Sequence, residues 1–293
     1  MRNDFCVFIL SYKRANNMYT VNTLLQGGYT GDWYIVLGDD DDTYDEYVAK
    51  YGEEHILVFD KEKWANRTDT CDNFNKRKCA VFARNVCFDI AKKLGYTYFV
   101  ELDDDYTSFE YRYEENDKFK VLKVEEFDEL VDIMIEFLET SENIYSVAFG
   151  QGGDFIGGKD SSLAKAKIKR KAMNSWFCKT DRYFQFMGSM NDDVNTYCHF
   201  GSQGKIFMTI RDVSLRQKET QNVKGGMTDE YNSMGTYLKS FYTVMMNPSF
   251  AKVFGMDTTN TRLHHRIDYK KAFPQIISSK YKKTTWQEWS FML

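Results

Sequence analysis

The chain has 293 residues, 43% of them hydrophobic and 16% aromatic, with a formal net charge of −4. That length allows one large domain or two tightly joined ones around a sizeable core. The acidic balance excludes binding nucleic acid by bulk charge, so any such contact belongs to a local patch. In chain order, the apolar run Phe5 to Leu10 predicts a first strand, followed by Ser11-Tyr12-Lys13-Arg14. Thr20 to Leu25 reads as a short helix closed by Gly27-Gly28. Trp33 to Leu37 is a second strand, ending in Gly38 and the aspartates Asp39 to Asp42, and Ile56 to Phe59 is a third, ending at Asp60. Cys79, Phe82, Val86 and Ile90 recur at helical spacing, which predicts an amphipathic helix near Lys78 to Lys93, ended by Gly95. Tyr98 to Leu102 is a buried strand that runs into Asp103-Asp104-Asp105. Phe127 to Leu138 predicts another amphipathic helix, Tyr145 to Phe149 a strand, Lys205 to Ile210 a late strand and Thr228 to Met245 a helix.

Alternating strands and helices of this kind predict an α/β fold with an open, mainly parallel sheet flanked by helices. In such sheets ligands bind beyond the carboxyl ends of the strands. Ser11 to Arg14, Asp39 to Asp42, Asp60 and Asp103 to Asp105 all fall at those ends. Only Pro248 and Pro274 occur, and no Pro- or Ser-rich linker divides the chain. The amino terminus lacks the apolar core of a signal peptide, and no apolar run approaches the roughly 20 residues of a membrane span. None of the six cysteines forms a C-x-x-C pair, which argues against zinc and for reduced thiols. The expectation is a cytoplasmic protein with no membrane contact.

Several clusters suit chemistry. Clustered carboxylates repel one another, so Asp103 and Asp105 at a strand end suit a divalent cation that in turn holds a diphosphate; the alternative is a solvated acidic turn. Tyr12 and Arg14 suit a base and a phosphate. One acid of the Asp39 to Asp42 run suits the N3–H of a pyrimidine or a ribose hydroxyl, while others of the run are solvated. Arg84 either reaches a nucleotide, braces the Asp cluster or lies on a polar surface. Asn191-Asp192-Asp193 is a second acidic site, read both as a helix start and as a source of a general base. His264 and His265 suit a metal or a phosphate. Lys165, Lys167, Lys169, Arg170 and Lys171, in a Gly- and Lys-rich stretch read as a mobile loop, suit a nucleic-acid backbone or a solvated face.

Ser-Tyr-Lys-Arg after the first strand, acids after the second, Ala83-Arg84-Asn85 on a helix and an Asp-x-Asp strand end resemble the GT-A fold of nucleotide-sugar glycosyltransferases. The later segments Met190 to Tyr197, Gly225-Gly226-Met227-Thr228-Asp229 and Gly235 to Met245 are similar to the TET-associated glycosyltransferase family, common among bacteriophages and related in kind to the base J glucosyltransferases. The resemblance spans about Phe5 to Tyr281. It implies a GT-A-type sheet with a smaller acceptor-side region, in a single GT-A-like domain over residues 1–293 whose nucleotide-sugar half is about 1–110 and whose acceptor half is about 111–293. It also implies a sugar transferred from a UDP-sugar to 5-hydroxymethylcytosine in DNA with Mn²⁺ or Mg²⁺, in the cytoplasm of an infected host if the chain is phage-encoded. Under it, Asp103 and Asp105 match the metal and diphosphate motif, with His264 or His265 as a further ligand. Ser11, Tyr12, Arg14, Asp39, Asp41, Arg84, Asp103 and Asp104 are the nucleotide-sugar candidates. Asp193 matches the base of inverting enzymes, with Asp192 beside it where relatives carry Glu. Ser11 and Lys13 stand where Thr and Asn are more usual. The alternatives are a nucleotidyltransferase and a glycosyltransferase with a non-DNA acceptor.

Overall fold

The structure, a computed structural model, describes residues 2–71, 79–116, 118–155, 158–161, 168–218, 228–256 and 262–274. Its centre is a ten-stranded sheet in the order β3-β2-β1-β4-β9-β7-β10-β5-β6, with β8 (Ile168–Lys169) paired to β10. β1 (Phe5–Leu10), β2 (Asp32–Gly38), β3 (Ile56–Phe59) and β4 (Tyr98–Asp103) are mutually parallel, as are β7 (Ile144–Gln151) and β10 (Ile206–Gln217). β9 (Ser175–Lys179) runs antiparallel between β4 and β7, and the hairpin β5 (Tyr106–Glu115) and β6 (Lys118–Lys123) extends the far edge antiparallel. β11 (Ala251–Met256) and β12 (Arg262–Ile267) form a separate two-stranded ribbon.

Strand alternation gives the sheet a core on each face. Phe5, Val7 and Ile9 of β1 and Tyr98, Val100 and Leu102 of β4 point to one side. There they meet α1 (Tyr19–Gln26), α2 (Tyr44–Tyr51) and α5 (Phe127–Glu139) through Val21, Leu24, Tyr47, Phe127 and Leu130. Cys6, Phe8, Leu10 and Phe99 point to the other side, against α3 (Lys61–Arg67), α4 (Val81–Leu94) and α6 (Asp192–Ser202) through Trp64, Phe82, Phe88 and Val194. Burying each such side chain fully contributes roughly 1.5–3 kcal/mol. Gly95 closes α4 in a left-handed conformation (φ 88°), which a side chain disfavours.

The chain moves outward from β1 through β2 and β3, then returns to place β4 on the opposite flank of β1. The strand order therefore reverses between β1 and β4, and the crevice beyond their carboxyl ends is the natural ligand position in an open α/β sheet. The α/β expectation and its strand positions hold. The antiparallel strands β5, β6 and β9 and the β11–β12 ribbon are additions that the sequence pattern did not display. No helix among the described residues is long and apolar enough to cross a membrane. Cys6, Cys87, Cys178 and Cys198 are buried thiols.

Candidate active site at the carboxyl ends of the strands

A cavity of about 1020 Å³ opens at that reversal point. Its walls hold Ser11, Tyr12 and Arg14 from the end of β1, and Asp103, Asp104 and Asp105 from the end of β4. Asp192 and Asp193 from the start of α6 face the same space, as do His264 and His265 from β12. Most of the candidates singled out in the sequence thus converge, although Ser11 and His265 stand 254 positions apart along the chain.

The join between the two acid clusters is Arg84. Alternation places Glu101 and Asp103 on the same face of β4, the face covered by α4. Arg84 on α4 is 4% exposed and meets both acids there. Its Nη2 donates to Asp103 Oδ1 at 2.9 Å, its Nε donates to Asp192 Oδ2 at 3.0 Å, and its Nη1 lies 3.6 Å from Glu101 Oε2. One buried guanidinium therefore ties the end of β4 to the start of α6. Glu101 is fully buried and neither of its oxygens has a hydrogen-bond partner, and burial drives its carboxyl well above the usual range. Of the three sequence readings of Arg84, bracing the acids is the one its contacts match.

The β4 acids differ sharply in their surroundings. Asp104 is saturated: Oδ1 accepts from Arg14 Nη1 at 2.9 Å and Oδ2 from Ser11 Oγ at 2.6 Å. Tyr47, which the sequence reading missed, shares this knot, its hydroxyl 2.8 Å from Ser11 Oγ and accepting from Arg14 N–H at 2.8 Å. Thr20 at the start of α1 fixes the backbone, donating from Oγ1 to Asp103 O at 2.5 Å and accepting there from Tyr106 N–H at 2.9 Å. Ser11, Arg14 and Asp104 thus hold one another, and Asp104 anchors the loop while lining the cavity. Asp105 is different. It has no basic side chain within hydrogen-bond reach among the described residues, and burial, with Asp103 and Asp104 beside it, pushes its carboxyl up to about 7.

α6 begins at Asn191, which sits in the left-handed region (φ 50°). Its Nδ2 donates to Lys239 O at 2.7 Å and to Thr243 Oγ1 at 2.8 Å, so the helix start is tied to α7 (Thr228–Met246). Just before it, Gly188 (φ 91°) packs so closely that an added Cβ would stand 2.5 Å from Asn195 Nδ2. Asp192 and Asp193 occupy the first turn, where the helix dipole favours negative charge. Both readings of this segment therefore coexist: a helix start and a pair of cavity carboxylates. Asp192 is held by Arg84. Asp193 accepts only a backbone N–H, from Val194 at 2.7 Å. Burial, with the Asp192 charge next to it, raises its carboxyl to about 6.

His264 and His265 share the cavity. Burial, with His264 and Lys239 nearby, lowers His265 to about 4, so it is neutral at pH 7, and its buried Nδ1 has no hydrogen-bond partner. A neutral imidazole with an orphaned nitrogen and an uncompensated carboxyl at Asp105 fit a divalent cation. Among the described residues no three His, Cys, Asp or Glu side chains stand together as a ready-made cage.

Other candidates fall elsewhere. Asp41 is buried and fully engaged, accepting from Lys13 N–H at 2.8 Å, Thr43 N–H at 2.9 Å and Thr43 Oγ1 at 2.6 Å. It shapes the loop and is not among the residues that line the cavity. Asp39 accepts from Lys61 N–H at 3.1 Å and borders a shallow depression beside the cavity, shared with Asp40, Lys61 and Glu62. Lys61 Nζ sits 4.3 Å from the Tyr12 ring centroid and pairs with Asp40 at 2.8 Å, fixing Tyr12 at the cavity edge. In the basic run, Lys165 and Lys167 lie outside the described residues, as does the side chain of Lys169. Gly225, Gly226 and Met227 also lie outside them. Lys171 is buried in the cavity wall and ion-paired with Asp154. Arg170 lies over the Phe273 ring at 4.4 Å.

The fold and cavity define a class: an α/β protein whose ligand site, at the switch point of a parallel strand block, is walled by carboxylates. The particular family follows from the sequence, since the model of the TET-Associated Glycosyltransferase family matches residues 5–226, and the chain belongs to that family. Solved structures similar to this chain include glucosyl-3-phosphoglycerate synthase from Mycobacterium tuberculosis in complex with Mn²⁺, uridine diphosphate and phosphoglyceric acid. That likeness is at 11% identity and a TM-score of 0.46, covering 90% of this chain and 86% of that one. The same synthase with Mg²⁺ and uridine diphosphate gives 11% identity and a TM-score of 0.47, covering 90% and 87%. No curated protein matches the chain.

Proposed function

We propose that this chain transfers a sugar, glucose, arabinose or similar, from a UDP-sugar to the hydroxyl of 5-hydroxymethylcytosine in DNA, with inversion and with help from Mn²⁺ or Mg²⁺. The observation that carries the reading is the single guanidinium of Arg84 holding Asp103 and Asp192 at 2.9 and 3.0 Å, which joins a donor-side and an acceptor-side acid cluster in one cavity. Membership of a TET-associated glycosyltransferase family supports the reaction class and favours DNA as acceptor.

On this reading residues up to about 110 form the donor half and the remainder the acceptor half. Uridine packs against Tyr12 with Asp39 at its edge, and Arg14 meets a phosphate. Asp105 and Asp103 hold the divalent cation, with His264 or His265 able to add a nitrogen. Bound there, the cation supplies positive charge for the departing diphosphate. Asp193 takes the proton from the acceptor hydroxyl as that oxygen bonds to the anomeric carbon and the bond from that carbon to the UDP oxygen breaks. Arg84 holds Asp192, and so the first turn of α6, at a fixed distance from β4, which supplies the orientation a weak alcohol nucleophile needs. Excluding water from this half-buried cleft strengthens each of these interactions.

The test is mass spectrometry of hydroxymethylated DNA incubated with a panel of UDP-sugars, with and without EDTA. A hexose or pentose adduct that needs the cation, with UDP released, is the expected result. Release of pyrophosphate would replace the reading with nucleotidyl transfer. A sugar found only on a non-nucleic-acid acceptor would retain the chemistry and overturn the substrate.

A further inference from the structure

The β11–β12 ribbon closes the acceptor side of the cavity, and one of its faces is unlike the rest of the molecule. The register pairs Lys252 with Arg266 and Phe254 with His264. Opposed residues share a face and neighbours along a strand alternate, so these four side chains project together. Ala251 and Ile267 take the other face and are buried. Ser240 Oγ on α7 donates to Leu263 O at 2.9 Å, which holds the ribbon to that helix. Lys252, Phe254 and Arg266 are exposed, and Phe254, His264 and Arg266 line the cavity mouth.

The charge pattern is one-sided. Among the described side chains of the two strands the charged ones are Lys252 and Arg266, both basic, with Asp268 following β12, in a chain whose net charge is −4. Lys252 and Arg266 enter no ion pair among the described residues. Like charges directly opposite each other on paired strands are destabilising, so this face carries a cost that a polyanion lying on it removes. Phe254, 37% exposed, sets an aromatic ring on the cavity lining, on the same face of the ribbon as the two cations. Cations that track a backbone beside an exposed ring that stacks a base are the two elements of single-strand nucleic-acid binding.

We infer that the Lys252–Phe254–His264–Arg266 face of the ribbon is the docking surface for the acceptor DNA strand, with phosphates over Lys252 and Arg266 and a base next to the modified one stacked on Phe254. This rests on the reading of DNA as acceptor. It moves the electrostatic contact away from Lys171, whose charge is engaged by Asp154.

Fluorescence anisotropy of a labelled single-stranded oligonucleotide carrying one 5-hydroxymethylcytosine, titrated in UDP and Mg²⁺ across a salt series, separates the two levels. The double variant Lys252→Ser/Arg266→Ser is expected to bind at least tenfold more weakly, with the slope of log K against log salt smaller by about 1.4. Phe254→Ala is expected to lose roughly tenfold in affinity with the salt slope unchanged, because stacking releases no counterion. Lys92→Ser, on an exposed part of α4, is the control and keeps wild-type affinity. Melting temperatures identify any variant that has lost its fold, and Arg266→Lys, which keeps the charge, restores most of the binding. If the wild type binds the oligonucleotide and the ribbon variants bind it equally well with an unchanged slope, the docking surface is wrong while the DNA reading stands. If the wild type binds neither this oligonucleotide nor its duplex, both fall.

Discussion

The acid loop after β4 and the first turn of α6 face each other across one cavity, yet they are built differently. Asp103 and Asp104 are held by Arg84, Arg14 and Ser11, and the loop backbone is pinned by Thr20. The α6 start hangs on two ties, Asn191 to α7 and Asp192 to Arg84. In each region one carboxyl lacks a cation: Asp105, raised to about 7, and Asp193, raised to about 6. The comparison teaches that the available cations fix geometry, while the two uncompensated acids are left for ligands. The strand end is pinned from α1, α4 and the loop after β1, whereas the helix start is tied to α4 and α7.

The largest effects should come from those two acids. Asp105→Asn is expected to lower cation-dependent transfer by about a thousandfold or more, since charge stabilisation at the leaving group is the largest single contribution. Asp193→Asn should lower the turnover number by roughly 10²–10⁴-fold while UDP affinity, read by calorimetry, stays as in the wild type. Normal transfer by Asp193→Asn would end the comparison by removing the base from α6.

The protonation of Asp193 sharpens it further. A base with a carboxyl near 6 must be ionised to act, so the transfer rate should rise with pH through about 6 and level off above it. The same shift bears on stability with the opposite sense. The folded value lies above the roughly 3.9 of an unfolded Asp, so the contribution is present below about pH 4 and is lost as pH rises through 6. Asp193→Asn should therefore melt higher than the wild type at pH 8 and no differently at pH 4.

Arg84→Met is next in size. It leaves Glu101, Asp103 and Asp192 facing one another without their cation, a loss of about 3–5 kcal/mol for breaking a buried pair. A melting temperature within a degree of wild type would show that the two regions are not joined through this residue. Lys171→Met should destabilise for the same reason, because it strands the buried Asp154, and it should leave the salt dependence of DNA binding unchanged. A smaller slope in that variant would return Lys171 to the polyanion surface. The smallest effect belongs to Tyr12→Ala, which is expected to raise the donor KM about fivefold through lost stacking of about 1 kcal/mol with little change in turnover.

Much of the donor side was legible in the sequence. β1 and the apolar stretches of β2 and β4 are continuous hydrophobic runs because they are buried on both faces, β3 being the sheet edge with Val58 half exposed, and a polar group at the end of such a run has to leave the sheet. Glu101 carried a signal that was passed over: a charged residue inside an apolar strand, two positions before Asp103, shares its face and needs a buried partner. Asp41 was illegible because four consecutive aspartates give no sign of which one the turn folds inward. The hairpin β5–β6 and the β11–β12 ribbon were missed because their exposed faces carry Lys, Glu and Arg, so the alternation reads as a polar loop.

The sequence by itself determined which residues carry charge, which strands are buried, and that acids end them, since these follow from local pattern and residue chemistry. Only the tertiary structure decided which acids are neutralised and which are left exposed to a ligand. That choice depends on where single cations such as Arg84, Arg14 and Lys171 arrive from distant elements, and a buried guanidinium satisfies only the carboxylates that the packing brings within hydrogen-bond range.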